Sequence, residues 1–181
     1  MTLLRDLEAK IITAIDAAIH PDSPALSGVP RPDSPAPSGV VHPDSRALPR
    51  VQIFGLWQPS LSGFVRNQED PETVATIAVG LGTPAVKTYS ASEASISGSI
   101  VLSVRVELDP TGAAFVALSD AIGSLLTGWN AANYQAAFTA LDTDAFNVGD
   151  VTTTGGATPY VDYERKTVTV TFPFTLSGCL T

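Results

Sequence analysis

Between Ile96 and Asp109 the chain alternates: Ile96, Ile100, Leu102, Val104, Val106 and Leu108 fall on one parity, and Ser97, Ser99, Ser103, Arg105, Glu107 and Asp109 on the other. A period of two is the mark of a β-strand with one buried and one wet face, and no helix can sort these residues that way. The chain must therefore build a sheet and cover one side of it. At about 3.4 Å per residue the segment spans about 43 Å, whereas a globule of about 150 residues has a diameter near 40 Å. Strands that outrun their core extend as a long hairpin whose open edge or face is covered by another chain. Bends at Gly98 and Pro173 are the alternative, since either would shorten a strand.

The remaining elements follow from the same patterning. Leu3, Leu4, Leu7, Ile11, Ile12, Ile15 and Ile19 lie at helical spacing, with Thr2 available as a cap and the charges expected on the other face. A short strand is predicted over 50–56, a polar loop over 57–71 and a second strand over 73–81, closed by Gly82, Thr83 and Pro84. After the alternating strand, Asp109-Pro110-Thr111-Gly112 breaks the pattern. Phe115, Leu118, Ile122, Leu125, Leu126 and Trp129 then give a second amphipathic helix. Residues 133–141 read as a short third helix and 148–159 as a Gly/Thr-rich loop. The last strand sets Val168, Val170, Phe172, Phe174 and Leu176 against Thr167, Thr169, Thr171, Pro173 and Thr175. Pro173 cannot donate to a ladder, so this strand is an edge or is bulged there. The order predicts an α+β fold, a mostly antiparallel mixed sheet of about four strands with two amphipathic helices on one face.

Residues 20–49 interrupt that plan with a tandem repeat. It reads His20-Pro-Asp-Ser-Pro-Ala-Leu-Ser-Gly-Val-Pro30, then Arg31-Pro-Asp-Ser-Pro-Ala-Pro-Ser-Gly-Val-Val41, then a partial third copy from His42. Prolines without donors favour extended or turn conformations, so the repeat is expected to be a surface linker within one domain, formed by helix 1–19 and the remainder 50–181. An arm draped over a neighbouring subunit, anchored by Leu26, Val29, Val40 and Val41, is the functional alternative. Both histidines of the chain lie in it. Such a segment offers no rigid frame for a catalytic base or for a His20/Asp22 and His42/Asp44 metal site.

That placement argues against an enzyme. No Gly-x-Ser-x-Gly elbow occurs, Ser97-Gly98-Ser99 has no histidine to serve it, and Gly80-Leu81-Gly82 and Gly155-Gly156 lack the rest of any phosphate-binding pattern. The carboxylate pairs Glu107/Asp109 and Asp142/Asp144 read as solvated surface, and no cofactor is implied. The net charge is −8, with ten Lys and Arg scattered along the chain, which excludes a general nucleic-acid binder. A single Cys179 makes no internal disulfide, and the charges within 1–19 leave no apolar signal region. Trp57 and Trp129 are expected at the core rim, with an interface anchor as the sharper reading.

In order, an N-terminal amphipathic helix, a loop, a short strand, two long strands, a Pro-bounded amphipathic helix and a C-terminal strand of the type Tyr163-Glu-Arg-Lys-Thr-Val-Thr-Val-Thr-Phe172 resemble the tail terminator (tail completion) proteins of long-tailed bacteriophages. The resemblance spans nearly the whole chain apart from the repeat, and rests on element order without a diagnostic motif. It implies a virion structural protein of the neck, made in the host cytoplasm. Six copies would form a ring that caps the tail tube and joins it to the head-tail connector, with DNA passing unbound through the lumen. An acidic wall would suit that passage, so Glu107, Asp109 and the loop residues Glu69, Asp70 and Glu72 are candidates for the lumen or for inter-subunit contacts with Arg105, Arg165 and Lys166, beside Trp57 as an anchor. The alternatives are a tail tube or other neck protein, and a peptide-binding module that uses a sheet edge.

Overall fold

A computed structural model of the protein describes residues 2–19, 51–55, 73–88, 90–129, 141–153 and 159–181. Among the described residues two helices, α1 (Thr2–Ile19) and α2 (Ala113–Trp129), pack on one mixed sheet. Six strands form it among the described residues, where the sequence predicted about four: β1 (Val51–Gly55), β2 (Ala75–Thr88), β3 (Glu93–Arg105), β4 (Phe146–Thr153), β5 (Tyr160–Asp162) and β6 (Thr167–Leu180). Their order is β1-β2-β3-β6-β4, with β5 also paired to β6. Only the β1–β2 pair is parallel. The fold is thus α+β with a mostly antiparallel sheet.

The predicted parities decide which face is covered. Ile77, Val79, Ile96, Ile100, Leu102, Val170, Phe174 and Leu176 are buried and share one core with Leu7, Ile11, Ile15 and Ile19 of α1 and Leu118, Ile122 and Leu126 of α2. Ser97, Ser99, Ser103, Thr169, Thr171 and Thr175 stay half-exposed on the other face. One prediction about α1 fails: Glu8 is not on the wet face but 1% exposed. Its side chain lies where a side chain on Gly55 of β1 would stand, so the absent Cβ makes the room.

Strand bounds shift for physical reasons. β2 runs past Gly82-Thr83-Pro84 because a register shift between Leu81 and Val86 absorbs the extra residues as a bulge. β3 begins three residues before the alternation and already ends at Arg105, so Val106, Glu107 and Leu108 form a turn toward α2, and Val106 and Leu108, expected on the buried face, are exposed. The segment predicted as a loop over 148–159 begins as β4. Neither Gly98 nor Pro173 breaks its strand: β3 and β6 pair without a shift from Glu93↔Cys179 to Arg105↔Thr167. Gly98 is where Phe174 and Leu81 meet, since a Cβ there would stand 2.7 Å from Phe174 Cζ and 2.8 Å from Leu81 Cδ2. Pro173 lies between the ends of β4 and β5, whose pairings stop at Phe174 and Thr169, so among the described residues β6 has a neighbour there only in β3 and the missing donor costs no ladder bond with β4 or β5. The predicted helix over 133–141 lies outside the described residues except for Leu141. No helix among the described residues is long and apolar enough to cross a membrane.

Candidate functional site

The face of the sheet opposite the helices is built from cross-strand rows. One row runs across five strands as Gln52, Thr76, Ser103, Thr169 and Tyr160. With strands about 4.8 Å apart, it is a line of polar side chains about 19 Å long. Thr169 Oγ1 and Ser103 Oγ lie 3.2 Å apart, and Thr76 Oγ1 donates to the Ser103 carbonyl at 3.4 Å. The next row pairs Arg105 with Thr167 and Thr167 with Asp162.

Two turns wall this end of the face. In the β5–β6 turn, Asp162 Oδ1 accepts from Glu164 N–H at 3.1 Å and Arg165 N–H at 3.0 Å, an Asx turn that lets Lys166 take φ +51°. In the β3–α2 turn, Val106 N–H donates to the Lys166 carbonyl at 2.9 Å and ties the two turns together. The Lys166 ammonium pairs with Glu107, and Arg165 Nε stands 3.9 Å from an Asp162 oxygen. The result is a cleft of about 730 Å³. Its floor comes from Thr76, Ser103, Thr167 and Thr169, and its walls from Tyr160, Arg105 and the charged turn residues, with Thr73 and Val74 at the mouth of β2.

Of the residues expected at a functional surface, Arg105, Glu107, Arg165 and Lys166 all line this cleft. Glu107 finds its cation within its own chain rather than across a subunit boundary. Asp109 does not join them. Its carboxylate is 9% exposed and accepts from Ala114 N–H at 3.2 Å through Oδ1 and from Phe115 N–H at 3.0 Å through Oδ2. It is the cap of α2, committed to satisfying helix donors that otherwise have no partner. Glu69, Asp70, Glu72 and Trp57 lie outside the described residues, as do His20 and His42; nothing is assigned to the Trp129 side chain.

The hydroxyl floor was missed in the sequence, although its signal was there: Ser103, Thr167 and Thr169 all fall on the wet parity of their strands. Thr73 carried no signal at all. It is 2% exposed, and its Oγ1 has no hydrogen-bond partner, a condition shared with Gln52 Oε1 in the polar row. Among the described residues no three His, Cys, Asp or Glu side chains are grouped as metal ligands would be. No family model matches the chain, and no curated protein matches it.

Proposed function

We propose that the protein is a virion structural component, a tail terminator whose copies close into a ring, six in number, at the head-proximal end of a phage tail tube. What carries the reading is the one-sided sheet. β3 and β6 pair from Glu93↔Cys179 to Arg105↔Thr167, both helices lie on one face, and among the described residues no further element covers the opposite face or all of the edge strands. On this reading the antiparallel β2–β3 pair serves as the extended hairpin and meets a neighbouring copy. The partners are further copies of the chain, the tail tube protein and the head-tail connector. DNA passes through the lumen without being held, and the protein acts as a scaffold rather than as a catalyst.

Size-exclusion chromatography with light scattering, followed by negative-stain imaging of the peak at high concentration, tests this. Closed six-fold rings are the expected result. Open filaments would move the assignment to a tail tube protein, and a chain that stays monomeric at every concentration would sink the self-assembling ring.

A further inference from the structure

We propose that the cleft beside the β5–β6 turn binds an uncharged, polyhydroxylated ligand of the saccharide class. The inference is independent of the ring, since every lining residue belongs to one chain. Charge selects against the common alternatives. Arg105, Arg165 and Lys166 face as many carboxylates in Glu107, Asp162 and Glu164, with Lys166 already paired to Glu107. A phosphate or a nucleic acid needs cations in excess, and here it would meet the carboxylates as well. An apolar ligand would strip water from a floor of hydroxyls and give nothing back. A polyhydroxylated ligand meets both demands. Each Thr or Ser hydroxyl on the floor carries one donor and two acceptor sites, and the contacts of Thr169 with the Ser103 hydroxyl at 3.2 Å and of Thr76 with the Ser103 carbonyl at 3.4 Å leave most of that capacity unused.

A further observation points the same way. Tyr160 closes the row and is 67% exposed, so its ring offers an apolar surface with a polar tip, the pairing that a sugar's C–H face and rim hydroxyls complement. A volume of about 730 Å³ falls inside the range of about 300–1,000 Å³ found for small-molecule sites.

Saturation-transfer NMR on the full chain, observed on the ligand so that monomer and ring are equally accessible, decides the matter with maltotriose and N,N′,N″-triacetylchitotriose as probes. Transfer to at least one trisaccharide is expected, with binding weakened about tenfold in Tyr160→Ala and about fivefold in Thr169→Val. Thr169→Val removes a floor hydroxyl while keeping the side chain's shape on a strand, so a melting temperature close to that of the unsubstituted chain shows that the lower affinity does not come from loss of fold. Absence of transfer to both sugars overturns the proposal. So does displacement of the sugar by inorganic phosphate, which would make the cleft an anion site, and so does undiminished binding by both variants.

Discussion

Removing the Asp109 carboxylate would leave two N–H groups at the start of α2 without acceptors. Asp109→Ala should cost about 1–2 kcal/mol, read as a lower midpoint in chemical denaturation, while Asp109→Ser should recover part of it. No change in the Ala variant would mean that water caps the helix equally well. The sequence placed Asp109 on the wet parity of the alternating strand, and the strand's continuation concealed the cap. Asp-Pro-Thr-Gly just ahead of a helical pattern is nonetheless a start signal, and Gly112 at φ +70° is the residue that lets the chain turn there. Gly98 is the opposite case, a glycine set by packing and not by turn geometry. Because Phe174 and Leu81 already occupy the space of its missing side chain, Gly98→Val should overpack the core and cost about 1–3 kcal/mol. A neutral result in a thermal melt would show that the Phe174 ring swings aside freely.

Elements were legible where one period ran uninterrupted, and illegible where a bulge reset it. α1, α2, β3 and β6 each carry a clean apolar series, and most of their buried residues are the ones the period selects; Glu8, Ser95 and Ala114 are buried outside it. β4 hides because Phe146 and Val148 are on one parity and Val151 on the other. The register shift between Val148 and Asp150 lets all three face the core, so a loop-like stretch containing Gly149 and Asp150 pairs as a strand. Its outer edge is partly closed. Val148 N–H donates to Asp142 Oδ1 at 2.8 Å, and Phe146 exchanges backbone bonds with Thr143, so only the Asp150 to Thr153 end lacks such cover in the described contacts. Covering an edge with a local loop limits pairing with other chains. Asp142→Ala removes that cover and should raise self-association measured by sedimentation velocity; unchanged sedimentation would mean the edge is not a pairing surface. α2 binds the sheet through Leu118, Ile122 and Leu126, all buried, so Ile122→Ala should cost about 2–5 kcal/mol by denaturant titration.

On the scale of the whole molecule the governing quantity is the charge of −8, which every additional copy in an assembly must overcome. The end of the sheet that carries the cleft is the exception. There Glu107 and Lys166 are 62% exposed and neutralise each other, so their pair adds at most about 1 kcal/mol to the fold, yet it spares a neighbouring copy the repulsion met elsewhere. Two consequences separate repulsion from attraction as the limit on closing the proposed ring. If repulsion between acidic surfaces opposes assembly, raising the salt from about 0.05 to 0.5 M, which shortens the screening length well below the roughly 10 Å of 0.1 M salt, should increase the ring fraction seen by light scattering. Lys166→Glu, which adds negative charge at this balanced end, should shift the same curve toward higher salt. A ring fraction that instead falls with salt would mean that subunits are joined by complementary charges. In that event Arg105→Ala and Glu107→Ala should each reduce the ring fraction, because those two side chains would then be acting between copies and not only within one.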